Sequence, residues 1–279
     1  MAHLVAVAAA SHAPLITAAP ETAEAGARER LFAGYEALRR ALAAARPDVL
    51  LVCANEHFTN FFLDNFPPFC IGIAERHTGP AEAWLRIPRT DVPGHRELGQ
   101  WLLDRCLQAD FDPAFSEELC LDHGMMTVLH FLNPGLAVPV VPLIQNCAVA
   151  PMPTLRRCYR LGAALADAVR AWPGEGRVAV LGSGGLSHTV GQARMGWVDE
   201  KFDRWFLDRL AAGRTDELLA LTDDEVSRSG NGTHEIRSWL TAAGAAGGAP
   251  ARILAYEPMP PWATGMGVAL FEGPDGVRL

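Results

Sequence analysis

Five short apolar runs of β type, set apart by long stretches of helical character, constrain this chain more than any other feature. The runs are residues 4–10 (LVAVAAA), 48–54 (DVLLVCA), 69–74 (FCIGIA), 136–144 (LAVPVVPLI) and 177–183 (RVAVLGS). Between them lie helix-like stretches at 21–45, 94–109 and 154–172. Strands alternating with helices of this length predict an α/β fold with a mainly parallel central sheet covered by helices on both faces. From Gly196 the pattern changes to short helices at 198–213, 215–228 and 233–246, followed by two final strands at 251–257 and 265–271. There is no internal repeat and no long linker, and GGAP before Ala251 reads as a turn, so residues 1–279 are expected to form a single domain.

Composition narrows the function. The chain carries 24 basic and 32 acidic residues, a net charge of −8, with no run of Lys or Arg. That balance argues against a nucleic-acid partner. Its 6 cysteines are scattered, and no two form a CxxC pair. A reduced, cytoplasmic setting fits, and a structural zinc cluster does not. The first twenty residues contain no charged group, but they lack a basic start and are interrupted by His3, His12, Pro14 and Pro20. A buried first strand leading into a loop is the better reading than a signal peptide. Residues 131–155 are also free of formal charge, yet their prolines and Gln145-Asn146 argue against a membrane span.

Three of the strand-like runs end alike: VAVAAA leads to Ser11-His12, LLVCA to Asn55-Glu56-His57, and VAVLGSGGL to Ser187-His188. Ligands of open α/β sheets collect beyond the carboxyl ends of the strands, so three histidines delivered there could converge. A single histidine after a strand is equally a hydrogen-bonded structural residue. Two histidines holding Fe(II) call for an anionic oxygen ligand as well. Glu235, in GNGTHEIRSW, stands at a helix start after a glycine-rich turn, although a glutamate there commonly just complements the helix dipole. His234 points about 100° away around a helix and need not share its role. Asp122-His123-Gly124 suits a loop histidine acting as acid or base. His130, seven residues on, shares its helical face if the helix starts that early, so both could also be core or surface residues.

LGSGGLSHTV, residues 181–190, invites a phosphate-loop reading, but Ser187 stands where a dinucleotide fingerprint needs its third glycine, and no GK[ST] follows. A serine hydrolase is disfavoured, because adjacent Ser187 and His188 cannot form the nucleophile–base geometry and GxSxG is absent.

Taken together, SHAPLI, NEHFTNFFLDNFPPFCIG, LDHG, GSGGLSH and GTHEIRSW, in that order from Ser11 to Trp239, resemble the class III extradiol catechol dioxygenases. This superfamily includes protocatechuate 4,5-dioxygenase β chains and 2,3-dihydroxyphenylpropionate 1,2-dioxygenases. The resemblance implies Fe(II) held by His12, His57 and Glu235, with His188 as the acid/base and His123 as a second polar residue facing the substrate. It implies a catechol substrate, expected to bear a carboxylate, and O2, in aromatic-compound catabolism by meta cleavage. His188 would assist loss of the second catechol proton, and His188 or His123 would protonate during O–O cleavage. Two departures stand out. Glu56 occupies the position before the second iron-binding histidine where the family usually has Asp, and no segment matches the small helical α subunit of some protocatechuate enzymes. A homo-oligomer and a separate α subunit both stay open. A zinc-dependent hydrolase using the same ligands and a non-catalytic interaction protein on the same fold are the competing readings.

Overall fold

The computed structural model describes residues 2–273. Its elements run β1 (His3–Ala10), α1 (Leu15–Ala18), α2 (Ala25–Ala45), β2 (Val49–Asn55), β3 (Phe69–Gly72), β4 (Arg76–Gly79), β5 (Thr90–Pro93), α3 (Arg96–Gln108), β6 (Ala114–Ser116), α4 (His123–Leu132) and β7 (Val140–Gln145). There follow α5 (Leu155–Arg170), β8 (Arg177–Ser183), α6 (Glu200–Ala211), α7 (Thr215–Leu219), α8 (Asp223–Ser227), α9 (Ile236–Ala245), β9 (Ala251–Met259) and β10 (Thr264–Phe271).

Eight strands form one sheet in the order β6-β3-β7-β2-β8-β1-β10-β9. Its centre, β7-β2-β8-β1, is parallel throughout. These strands are apolar on both faces because each face is covered. Val49, Leu51 and Cys53 of β2 pack into one core with Leu98, Leu161, Phe206 and Trp239 from α3, α5, α6 and α9. The alternate residues Leu50, Val52 and Ala54 pack into a second core with Leu31, Leu38, Val128 and Leu129 from α2 and α4. The period-2 alternation of side chains thus splits one continuous apolar run between two helical layers.

The α/β expectation holds, with differences at the edges. β3 and β10 run antiparallel to their central neighbours β7 and β1, so the sheet is mixed at its flanks. The hairpin β4–β5 and the edge strand β6 carry too few apolar residues to stand out in the sequence. The stretch 136–139 lies outside the strand, which begins at Val140. The helix expected over 215–228 is two helices, because Thr222 starts α8 with a capping box to Glu225. Among the described residues no helix is long and apolar enough to cross a membrane.

Candidate active site and metal centre

β2, β8 and β1 are adjacent and in register, with Ala54 and Ala10 both paired to Ser183. Their carboxyl ends therefore open at one level, and the chain leaves each of them toward the same cleft. His12 lies two residues beyond β1, His57 two beyond β2, and His188 five beyond β8. The fourth component, Glu235, closes the 3-10 turn Asn231–Glu235 that leads into α9. Its Oε2 is 3.1 Å from His12 Nε2, and its Oε1 is 3.0 Å from His57 Nε2 and 3.9 Å from His188 Nε2. His12, His57, His188 and Glu235 all reach this cleft, and His123 joins them, its ring 4.0 Å from that of His57 and 5.5 Å from that of His12.

The hydrogen bonds around the cleft decide which ring nitrogens face it. Ser183 Oγ donates to the Gly124 carbonyl at 2.5 Å, so toward His12 Nδ1, at 3.0 Å, it can only accept. His12 therefore carries its proton on Nδ1. Asp122 Oδ2 lies 2.9 Å from His57 Nδ1, Glu82 Oε1 lies 2.6 Å from His123 Nδ1, and the Leu186 carbonyl lies 3.0 Å from His188 Nδ1. Each of these oxygens accepts, so each neutral ring keeps its Nε2 lone pair free.

This arrangement fits a metal ion. Two imidazole Nε2 atoms directed at the oxygens of a buried carboxylate are held there either by a proton on the ring, as the raised His57 imidazole allows, or by a cation lying among them. Their separations of 3.0 and 3.1 Å match the roughly 3 Å between neighbouring ligand atoms on bonds of about 2.1 Å. His12, His57 and His123 also form a group whose ligand atoms lie within 4.8 Å of one another, so the cleft can hold a metal ion.

Electrostatics agree with a carboxylate set among imidazoles. Burial penalises the Glu235 anion, but His12 and His188 beside it outweigh that and hold its carboxyl well below the usual range. Burial likewise opposes charge on His57, yet Asp122 and Glu235 raise its imidazole well above the ordinary value. Asp122 itself, buried but next to His57, is held down to about 2. His123 is lowered, first by burial and then by His57.

The glycine loop has a steric purpose. None of Gly182, Gly184 and Gly185 has positive φ. A Cβ on Gly184 would lie 2.5 Å from the Glu235 carbonyl, and one on Gly185 would lie 2.5 Å from the His188 ring. The loop lets the start of α9 and the His188 ring approach the strand end, and the Gly185 N–H donates to Glu235 Oε2 at 2.6 Å. It cradles a carboxylate of its own chain rather than a phosphate.

One local expectation changes and two open ones are decided. His123 is the first residue of α4, capped by Asp122, rather than a loop residue. His130 is exposed on that helix, away from the cluster. Glu56 does not orient His57: its Oε1 accepts from the backbone of Thr59, at a very short distance, and of Asn60 at 2.7 Å, shaping the next loop. His234 lies outside the cleft, as its 100° offset implied, and receives a 2.7 Å bond from Arg237 on Nδ1. Ser183 and Glu82, which orient His12 and His123, were missed because no local pattern ties them to those histidines. Asp122 was noticed only as a neighbour of His123.

The sequence matches, over residues 6–267, the family described as the catalytic LigB subunit of aromatic ring-opening dioxygenase. The chain belongs to this family. It is a ring-cleaving dioxygenase of the class III extradiol superfamily, which displaces the hydrolase and non-catalytic readings. LigB relatives include 2,3-dihydroxyphenylpropionate/2,3-dihydroxicinnamic acid 1,2-dioxygenases from Pseudomonas putida, 32% identical over 92% of this chain and 95% of the relative, and from Cupriavidus necator, 30% identical over 91% and 90%. A crystal structure of an uncharacterised Escherichia coli K12 protein shares the fold, with a TM-score of 0.59 at 17% identity over 85% of this chain and 91% of that one.

Proposed function

We propose that residues 1–279 form one catalytic domain that opens a catechol ring by extradiol cleavage, with Fe(II) held by His12, His57 and Glu235. The observation that carries this reading is the convergence of His12 Nε2 and His57 Nε2 on the Glu235 carboxylate at 3.1 and 3.0 Å. Two neutral imidazoles and one carboxylate on a single face are the donor set of non-haem Fe(II) oxygenases. Glu235 is preferred to His123 as the third ligand because it supplies the anionic charge.

Bound iron supplies the redox chemistry that lets ring electrons reach O2. The chain supplies the rest. The His188 Nε2 lone pair accepts a proton from a catechol hydroxyl, and the Leu186 carbonyl stabilises the resulting imidazolium through Nδ1–H. The same nitrogen, or that of His123, returns a proton as the O–O bond breaks. Glu82 holds His123 for that task through its 2.6 Å bond. Both oxygen atoms enter the product, and one ring C–C bond beside the diol is broken to give a semialdehyde.

An aromatic substrate suits the rim. Trp84, 54% exposed, stands 6.4 Å from the His123 ring, and Phe58, directly after His57, is 45% exposed. A catechol bearing a carboxylate side chain, of the dihydroxyphenylpropionate, protocatechuate or gallate type, is the proposed substrate class, supported by the names of the relatives. The six free cysteines, five of them buried, are consistent with a cytoplasmic setting. Aerobic incubation of Fe(II)-loaded protein with a panel of catechols tests the reading, the expected result being oxygen uptake and a yellow ring-opened product. Protein that binds zinc but not Fe(II) would overturn it.

A further inference from the structure

Asp203, on α6, is fully buried, yet the groups that hold it are all neutral. Its Oδ1 accepts the Ser187 N–H at 2.8 Å, and its Oδ2 accepts the Ser187 hydroxyl and the Tyr256 hydroxyl, each at 2.9 Å. Ser187 Oγ in turn accepts the Asp199 N–H at 2.8 Å. β10 makes room for the carboxylate at Gly265, where a Cβ would lie 1.9 Å from Asp203 Oδ2. Burial pushes the Asp203 carboxyl up to about 6. A buried carboxylate without a countercharge costs stability that an apolar residue would not.

What this carboxylate holds is the stretch that carries His188. The Leu186 N–H donates to the Gly265 carbonyl at 3.1 Å, and the Gly265 N–H donates to the Ser187 carbonyl at 3.0 Å. The Leu186 carbonyl accepts from His188 Nδ1, and the Ser187 N–H goes to Asp203. All four backbone polar groups of Leu186 and Ser187 are therefore engaged, and Asp203 is the one side chain among their partners other than His188 itself. Without it, the Leu186–Ser187 peptide loses the acceptor of its N–H and is held only through its Gly265 neighbours, so the Leu186 carbonyl that selects the Nδ1–H tautomer is less firmly oriented.

We propose that Asp203 is a positioning residue for His188, locking the Leu186–Ser187 backbone so that the ring presents a bare Nε2 to the substrate. The inference rests on the reading of His188 as the acid/base. Asp203→Asn keeps the shape and removes the charge. Iron content and KM are expected to stay within about twofold while kcat falls at least about tenfold, the scale of a misplaced catalytic group. In a His188→Ala background the same substitution is expected to change kcat by less than about twofold, since the two act as a unit. Ser187→Ala, which removes one of the three bonds, is expected to repeat the pattern at smaller amplitude and serves where Asp203→Asn loads iron poorly. Independently of activity, a long-range 1H–15N spectrum of the metal-free protein is expected to show His188 as the Nδ1–H tautomer, and as a mixture in Asp203→Asn. Full kcat in Asp203→Asn, or an equal loss with and without His188, overturns the inference. Full turnover in His188→Ala alone overturns the acid/base reading beneath it, so the two failures are told apart by that control.

Discussion

Asp122 grips His57 at two points, its Oδ2 accepting the backbone N–H at 3.0 Å and lying 2.9 Å from ring Nδ1. Its other oxygen accepts the Gly124 N–H at 2.8 Å and caps α4. One side chain thus ties the end of β2 to the helix that begins with His123. Asp122→Asn replaces an obligate acceptor with an amide that can present N–H to Nδ1 and favour the wrong tautomer. Fe(II) affinity, measured by competition with a chelator, is expected to fall about 10- to 100-fold. An unchanged affinity would show that His57 needs no orienting carboxylate.

Glu235 is the anionic member of the proposed ligand set and the shared partner of His12, His57 and His188. Glu235→Ala is expected to yield folded protein with almost no bound iron by elemental analysis. Iron retained at full stoichiometry would return Glu235 to the role of a residue at a helix start and point to His123 as the third ligand.

His188→Ala is expected to keep its iron and lose turnover by about 10²- to 10⁴-fold, the usual worth of a positioned acid/base. A remote counterpart exists at Gly232, where a Cβ would lie 2.0 Å from His188 Nε2. Gly232→Ala must therefore displace the ring, and its kcat is expected to fall to near that of His188→Ala with iron content unchanged. Wild-type turnover in Gly232→Ala would remove His188 Nε2 from the chemistry.

His77, on β4, is buried with neither ring nitrogen hydrogen-bonded, and burial lowers it to about 4. The unfolded chain takes up this proton near the ordinary histidine value of 6.5, so the unfolded state binds more protons between those limits. Stability is complete above about pH 6.5 and falls as pH drops toward 4, by up to about 3 kcal/mol from this group. In His77→Leu the urea midpoint is expected to lose much of its pH dependence over that window. An identical profile in wild type and variant would mean that His77 finds a proton acceptor in the fold.

The central strands and long helices were legible because burial on two faces leaves nearly continuous apolar runs, as in 48–54 and 177–183, and because helices covering them keep a 3.6-residue period. The edge elements β4, β5 and β6 were not, since three or four half-exposed residues carry no periodic signal. For the site, the sequence alone singled out His12, His57 and His188 by their place after strands and offered Glu235 and His123 as further candidates, and the motif resemblance gave all five their roles. It could not say what orients them. Ser183, Asp122, Glu82 and Asp203 act on His12, His57, His123 and His188 across 171, 65, 41 and, through Ser187, 16 positions of chain. Strand order and register brought those residues together. Residue type decides which atoms can bind a metal or carry a proton. Only the folded arrangement decides which ring nitrogen keeps its proton, because that depends on whether the oxygen facing it can donate or must accept.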